Sequence, residues 1–256
     1  MSRYILICML LWLQLLMSIE LTAAGRNDWK LSSDTAKQPS LASTQDWIQA
    51  ELPLRVFEAA SNSSGPMLVY LTGDGGWNSF STSFCNTLSK RGIPVVGLDS
   101  RQYFWQRRSP DESASDLLKI ITKYDKGWRR QSLVLVGYSF GADITPFLVN
   151  RFSASVQGRL LAVLLISPSK TCDFEIHLSD MLSLGIAKGQ YNVIREIQAS
   201  NFKNYTALFG SDEDKTLQMA FEQVNVHVER LQGSHHFDRD YESVADFVSK
   251  LIQREK

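Results

Sequence analysis

The chain has 256 residues, of which 44% are hydrophobic and 21% are charged, and its 27 basic side chains balance 27 acidic ones. This charge balance argues against nucleic-acid binding, which normally requires a basic excess, and the composition is that of one globular domain with a substantial core. The basic and aromatic cluster RQYFWQRR at residues 101–108 is interpreted as a loop at the rim of a site.

The first 24 residues differ from the rest of the chain. Arg3 precedes the apolar stretch YILICMLLWLQLLMSI, and the tripeptide TAA at residues 22–24 supplies the small residues of a cleavage site. This pattern predicts a secretory signal peptide. An uncleaved N-terminal anchor is the alternative, because the stretch is near the lower length limit for a membrane span.

Two cysteines, Cys85 and Cys172, remain after the predicted cleavage. In an oxidising compartment they are able to pair, but the sequence leaves their distance open. Neither cysteine lies in a CxxC motif or another metal-binding spacing, so no metal site and no cofactor are predicted.

Residues 25–50 are polar and lack a sustained period, and we interpret them as a lead-in to a domain at residues 51–256. From residue 52, apolar runs alternate with amphipathic segments. Strands are predicted at LPLRVFEA, MLVYLTG, IPVVGLD, SLVLVGYS, LAVLLISPS, YTALFGSD and VNVHVERL, and helices near residues 79–91, 112–124, 141–152, 214–223 and 240–253. This alternation predicts an α/β fold with a mostly parallel central sheet and helices on both faces.

Residues 137–141, GYSFG, fit the G-x-S-x-G pattern of a nucleophile elbow, and a predicted strand precedes them while a predicted helix follows. Ser139 is therefore the predicted nucleophile, and the main-chain N–H of Phe140 is a predicted oxyanion donor. The loop TGDGGW follows the strand MLVYL, and its glycines allow the backbone to approach a ligand closely. Asp74 and Gly75 are predicted to complete the oxyanion hole.

A serine nucleophile needs a base. The segment LQGSHHFDRDY follows the last predicted strand, where the order serine, acid, histidine of α/β-hydrolases places that base. We favour His235 and keep His236 as the alternative. His227 alternates within a predicted strand and is interpreted as a strand residue, and His177 lies in an insertion and is interpreted as a residue of the rim.

The acid that orients the histidine is expected in the loop SDEDKT, which offers Asp212, Glu213 and Asp214. Its carboxylate would fix the histidine tautomer and stabilise the imidazolium. Asp214 is the first choice and Asp212 the second. At least one of these acids is expected to cap the helix that follows.

Four segments, GDGGW, GYSFGAD-x-x-PF, SPS with DFEIH, and GSHHFDRDY, make the chain resemble the VirJ/AcvB family of bacterial virulence proteins over residues 52–254. The resemblance implies a periplasmic protein with the α/β-hydrolase fold. Members of the AcvB type hydrolyse lysyl-phosphatidylglycerol and VirJ is linked to type IV secretion, so the implied partners are a lipid ester at the membrane surface and secretion components. Family members carry a cysteine after the acid loop, where this chain reads DKTLQMAF.

A lysyl ester carries two positive charges, so an acidic binding site is expected. Residues 173–200 interrupt the strand–helix alternation and are predicted to lie over the carboxyl edge of the sheet, where such folds bind ligands. They supply Asp173 and Glu175, which are predicted to bind substrate together with Trp77, and also Asp180. Three arginines after another strand end are candidates to meet the lipid phosphate: Arg101, Arg107 and Arg108.

A periplasmic binding or accessory protein of type IV secretion that uses a hydrolase fold is the alternative function. The combination of a serine, an acid, a histidine and a glycine loop favours the enzyme, because a scaffold has no physical need for all of them.

Overall fold

The computed structural model describes residues 52–59, 65–176, 189–224 and 226–255, all within the unit Pro39–Lys256. The predicted signal peptide, the alternative anchor and the lead-in at residues 25–50 lie outside the described residues. Within the described ranges, no helix combines the length and the apolar character that crossing a bilayer requires.

Most of the strands in the described residues belong to one seven-stranded sheet. In chain order the strands are β1 (Leu54–Phe57), β2 (Met67–Leu71), β3 (Val95–Leu98), β4 (Leu133–Tyr138), β5 (Leu160–Ile166), β6 (Thr171–Cys172), β7 (Tyr191–Asn192), β8 (Tyr205–Gly210) and β9 (His227–Leu231). The order across the large sheet is β1-β3-β2-β4-β5-β8-β9, and only the edge pair β1–β3 is antiparallel. The predicted, mostly parallel sheet is confirmed.

The α-helices of the described residues are α1 (Ser79–Lys90), α2 (Ser100–Tyr103), α3 (Pro110–Trp128), α4 (Phe140–Val149), α5 (Ala154–Gln157), α6 (Val193–Ala199), α7 (Lys215–Glu222) and α8 (Tyr241–Arg254), and a short 3-10 helix spans Phe237–Arg239. The five predicted helices are present as α1, α3, α4, α7 and α8. The start of α3 shows why sequence locates it well: Ser109 and Glu112 form a capping box, and Pro110 occupies the first turn.

Both faces of the sheet are buried under helices. Along β2, Met67, Val69 and Leu71 face one core and Leu68 and Tyr70 face the other, as the two-residue period of a strand requires. Helices α1 and α8 cover the second face, and α3, α4, α6 and α7 cover the first. The near-continuous apolar runs of the sequence follow from this double burial.

The insertion forms a small unit of its own. Strands β6 and β7 pair antiparallel, with Cys172 opposite Tyr191, and α6 follows directly. Residues 177–188 within it, including His177 and Asp180, lie outside the described residues. Cys172 and Cys85 are both free and buried in the cores on opposite faces of the sheet, and burial raises the pKa of both thiols. The open question of a disulfide is thereby answered: these two cysteines are unpaired.

Candidate active site

The carboxyl ends of the parallel strands meet at one edge of the sheet, and the candidate site lies there. Ser139 follows β4 directly and begins α4, with backbone angles of φ 52° and ψ −119°. Such a conformation is strained for a residue with a side chain. Two glycines make the turn feasible: a Cβ on Gly137 would lie 2.3 Å from Gly141 O, and a Cβ on Gly141 would lie 2.3 Å from Leu71 O. The predicted sharp turn is present.

A continuous chain of hydrogen bonds joins Ser139, His235 and Glu213. His235 Nε2 lies 3.0 Å from Ser139 Oγ, and His235 Nδ1 lies 3.1 Å from Glu213 Oε2. The three residues are far apart in sequence and follow β4, β9 and β8, respectively. The histidine side chain is 40% exposed, whereas that of Glu213 is only 9% exposed. The arrangement is that of a nucleophile, a base and a buried orienting acid.

The structure corrects the predicted acid, because Glu213 rather than Asp214 or Asp212 faces His235. The Asp214 side chain caps α7, where it accepts a hydrogen bond of 2.7 Å from Thr216 N. Asp212 accepts a hydrogen bond of 2.9 Å from Ser211 Oγ at an exposed position. The sequence predicted a cap in this loop but not which acid forms it.

Glu213 is held as a charged group at a largely buried position. Burial is the strongest single influence on its pKa and raises it, but hydrogen bonds from His235, Gly210 N–H and the Ser167 hydroxyl together outweigh burial and lower the pKa. The bond from Gly210 N is 2.6 Å long and that from Ser167 Oγ is 2.7 Å long, both to Oε1. The carboxylate is therefore fixed with Oε2 turned to the histidine.

Ser167 is a site residue that the sequence analysis missed. It follows β5, is 1% exposed, and has a φ of 49° in the left-handed region. A polar side chain directly after an apolar strand is a weak signal, since many loops begin that way. Its hydroxyl nevertheless positions the acid, so the orienting group depends on the ends of two adjacent strands, β5 and β8.

The neighbouring His236 is hydrogen-bonded to Tyr138 and not to the nucleophile. Its Nδ1 lies 2.6 Å from the hydroxyl of Tyr138, and that hydroxyl also lies 3.2 Å from His235 O. Burial, followed by the nearby His235, lowers the pKa of His236. The geometry thus places His235, the favoured residue, against Ser139. His227 is exposed on β9 and bonds Glu229 at 2.7 Å.

Of the three residues predicted to form the oxyanion hole, Phe140 and Asp74 have main-chain N–H groups without an acceptor among the described residues, whereas that of Gly75 has one. Phe140 is the first residue of α4, so its N–H has no acceptor within the helix. In the loop after β2, Gly75 N–H donates to Asp74 Oδ1 at 2.8 Å and is therefore engaged. No hydrogen bond between described residues uses Asp74 N–H. Gly73 packs beside the nucleophile, since a Cβ there would lie 3.3 Å from Ser139 Cβ.

Trp77 packs within the fold, and its role in substrate binding stays a prediction. Its ring lies against Gly97, where a Cβ would come within 2.3 Å of it, and stacks on Phe57 at 5.8 Å between centroids. The indole N–H donates to Thr82 Oγ1 at 2.9 Å. An aromatic residue after a glycine loop has the same sequence pattern whether it packs on a strand or lines a pocket.

The acids predicted to bind the cationic headgroup and the arginines predicted to contact the lipid phosphate mainly contact one another or neighbouring residues of the fold. Glu175 forms an ion pair of 2.8 Å with Arg107, and Asp173 accepts a hydrogen bond of 2.9 Å from Gln190 N. Arg101 lies over the ring of Trp105 and Arg108 over that of Tyr103. None of these contacts involves Ser139 or His235.

Among the described residues, no group of three or more His, Cys, Asp or Glu side chains is suited to hold a metal ion.

The family model for VirJ, described as "Bacterial virulence protein (VirJ)", matches residues 66–256. The chain belongs to the VirJ family. The matched region contains β2 to β9 and every residue of the Ser139, His235 and Glu213 chain. No match was found among curated proteins.

Solved structures similar to this VirJ-family chain have the α/β-hydrolase fold, which confirms the predicted fold. A hydrolase from Oleispira antarctica has a TM-score of 0.59 at 12% identity, over 82% of this chain and 97% of that one. Proline iminopeptidase from Mycobacterium smegmatis has a TM-score of 0.58 at 11% identity, over 79% and 94%. Est1E from Butyrivibrio proteoclasticus has a TM-score of 0.54 at 13% identity, over 78% and 94%.

Proposed function

We propose that this VirJ-family protein is a serine hydrolase that cleaves a carboxylic ester through an acyl-enzyme. The observation that carries the proposal is the unbroken chain of hydrogen bonds from Glu213 through His235 to Ser139, with distances of 3.1 and 3.0 Å. The likeness to esterases and peptidases of the same fold agrees with it.

Ser139 Oγ attacks the ester carbonyl while His235 Nε2 takes its proton. The resulting oxyanion is stabilised by the N–H groups of Phe140 and Asp74, with Phe140 at the N-terminus of α4. The imidazolium, stabilised by Glu213, then gives its proton to the leaving alcohol as the carbon–oxygen bond breaks. A water molecule activated by His235 hydrolyses the acyl-enzyme in the same way and regenerates the serine.

The proposed substrate is an aminoacylated phospholipid such as lysyl-phosphatidylglycerol, acted on in the periplasm, and type IV secretion is the proposed context. The VirJ/AcvB resemblance supports this. Asp74 adds physical support: it follows Gly73, which packs beside Ser139, and its carboxylate forms no ion pair with a described residue. A carboxylate at this position suits a cationic acyl group.

Covalent trapping tests the enzyme. A fluorophosphonate probe should label the purified protein on the peptide that contains Ser139, and Ser139→Ala should abolish both labelling and hydrolysis of p-nitrophenyl butyrate. Ser155→Ala, at an exposed residue in α5, is the matched control and should retain both activities. Labelling of Ser139→Ala at the parent rate would exclude Ser139 as the nucleophile.

Lipid analysis tests the substrate. Cells that express the parent protein should contain less lysyl-phosphatidylglycerol than cells that express Ser139→Ala. Equal lipid composition combined with normal turnover of p-nitrophenyl butyrate would leave the esterase intact and refute the aminoacyl lipid as its substrate.

A further inference from the structure

A cavity of about 480 Å³ lies between the start of α1 and the segment that follows His235. Its lining includes Asn78 and Phe80 from the start of α1, Tyr138 from β4, and His236, Arg239 and Tyr241 from the segment before α8. We refer to it as the Arg239 cavity. No residue of the proposed hydrogen-bond chain lines it, so the mechanism above leaves this cavity unused.

The Arg239 cavity adjoins the candidate active site. Two residues that line it, Tyr138 and His236, contact His235, with ring centroids 5.8 and 5.2 Å from that of His235. Tyr138 also immediately precedes the nucleophile. A substrate whose ester lies at Ser139 would therefore have the cavity within reach of a short extension.

The electrostatics of the Arg239 cavity favour an anion. Arg239 is exposed and forms no ion pair with any described residue, and none of the described lining residues is acidic. Asp74 and Glu213 act on Tyr138 and His236 from the side of the active site, so the positive end of the cavity is the one that Arg239 and the start of α1 form. Both acids next to Arg239 in sequence have other hydrogen-bond partners: Asp240 accepts from Ser243 N at 3.0 Å, and Asp238 accepts from Ser234 Oγ at 3.5 Å. Asn78 caps the 12-residue helix α1, whose N-terminal N–H groups add partial positive charge to the same wall.

The remaining walls are aromatic. Phe80 stacks on Tyr138 with centroids 5.8 Å apart and planes at 24°, and Tyr241 also lines the cavity. Such surfaces favour apolar or aromatic groups, whose faces and edges pack against rings. A ligand that fits both properties carries an anionic head and a ring or short apolar portion.

The backbone holds Arg239 in an unusual conformation. Phe237, Asp238 and Arg239 all have left-handed backbone, with φ of 49°, 50° and 67°. Phe237, which is 1% exposed, anchors the segment in the core under α1 and α8. Consecutive non-glycine residues in this region are costly, and such conformations cluster at functional sites.

We propose that the Arg239 cavity binds an oxyanion, phosphate or carboxylate, that is joined to an apolar or aromatic group. Arg239 supplies the counter-charge, and Phe80, Tyr138 and Tyr241 supply the apolar surface. This inference rests on the proposed function. The oxyanion is then the part of an ester substrate that lies beyond the bond that Ser139 cleaves, on the side of the leaving alcohol.

Calorimetric titration with phenyl phosphate, benzoate and benzyl alcohol tests binding without any need for catalysis. The two anions should bind to Ser139→Ala more tightly than benzyl alcohol does. Arg239→Gln, in the Ser139→Ala background, should weaken them about tenfold, the lower end of the contribution of a charge-assisted hydrogen bond. Arg195→Gln, an exposed arginine of α6 outside the cavity lining, is the matched control and should bind as the parent does. Preference for phenyl phosphate over benzoate would identify phosphate as the ligand, and the reverse would identify carboxylate.

Turnover links the cavity to the substrate. The ratio of kcat/KM for 4-carboxyphenyl butyrate, whose carboxylate lies on the leaving phenol, to that for phenyl butyrate should fall about tenfold in Arg239→Gln and stay constant in Arg195→Gln. Anion binding that depends on Arg239, in a protein that cleaves no ester, would support the Arg239 cavity as an anion site and refute the proposed function. Equal anion affinity with and without Arg239→Gln, or no measurable binding of either anion, would refute the anion site whether or not esters are cleaved.

Discussion

Replacing Glu213 by glutamine removes one negative charge from the candidate site while it preserves the shape of the side chain. Glutamine Oε1 is still able to accept the hydrogen bonds from Gly210 N–H and the Ser167 hydroxyl, so we expect the fold to persist. What disappears is the stabilisation of the His235 imidazolium that forms when Ser139 attacks.

The magnitude follows from the 3.1 Å contact between Glu213 Oε2 and His235 Nδ1. Unit charges about 4 Å apart interact by roughly 4 kcal/mol at an effective dielectric constant of about 20. Since the histidine is 40% exposed, water screens part of this. At about 1.4 kcal/mol for each tenfold change in rate, we expect kcat/KM to fall by roughly two to three orders of magnitude.

Hydrolysis of p-nitrophenyl butyrate by the purified variants measures this effect. Asp214→Asn is the matched control, because it also removes one charge from the same loop, and asparagine is an equally good helix cap. It should retain nearly full activity. A Glu213→Gln enzyme with more than about a tenth of the parent kcat/KM, or a larger loss in Asp214→Asn, would refute the assignment of the acid.

Three further predictions test the site and its support. His235→Ala should reduce kcat/KM as severely as loss of the nucleophile, whereas His236→Ala should cost less with a small neutral ester; the opposite order would make His236 the base. Gly141→Ala should lower the free energy of unfolding in urea by at least about 1–3 kcal/mol, because its Cβ would collide with Leu71 O. Gly127→Ala is the control, since Gly127 has open space around it in α3, and it should be neutral or slightly stabilising. Equal stability of the two variants would contradict the tight turn. Glu213 has a lowered pKa in the folded protein, so its contribution to stability is present above the ordinary glutamate value of 4.5 and is lost as pH falls through the folded value. The difference in unfolding free energy between parent and Glu213→Gln should therefore shrink on acidification below about pH 4.5. A difference that grows instead would mean that the pKa of Glu213 is raised.

The sequence predicted every strand of the large sheet: the inner strands show the apolar runs that double burial requires, whereas the partly exposed edge strands β1 and β9 show alternating residues. It did not predict the β6–β7 pair or α6, whose two and seven residues are too short to establish a period. Fold and nucleophile were therefore accessible from local pattern alone.

Local sequence pattern did not identify Glu213 as the acid or show how Trp77 packs. In SDEDKT three adjacent carboxylates share one loop, and only the path of the backbone after β8 decides that Glu213 turns inward while Asp214 caps α7. For Trp77, the decisive fact is the absent side chain of Gly97, a residue on a different strand. Contacts between distant segments carry this information, and a single sequence does not display them.

The hydrogen-bond chain joins residues separated by 96 positions, and its members follow β4, β8 and β9, with Ser167 contributed by β5. A folding intermediate that lacks β9 at the edge of the sheet would have a nucleophile without its base. Ester cleavage should thus report completion of the sheet rather than collapse, and in refolding experiments it should recover with or after the last strand, later than helical circular dichroism. Hydrolysis of a chromogenic ester, followed during refolding, would then measure the rate of the final assembly step of this chain.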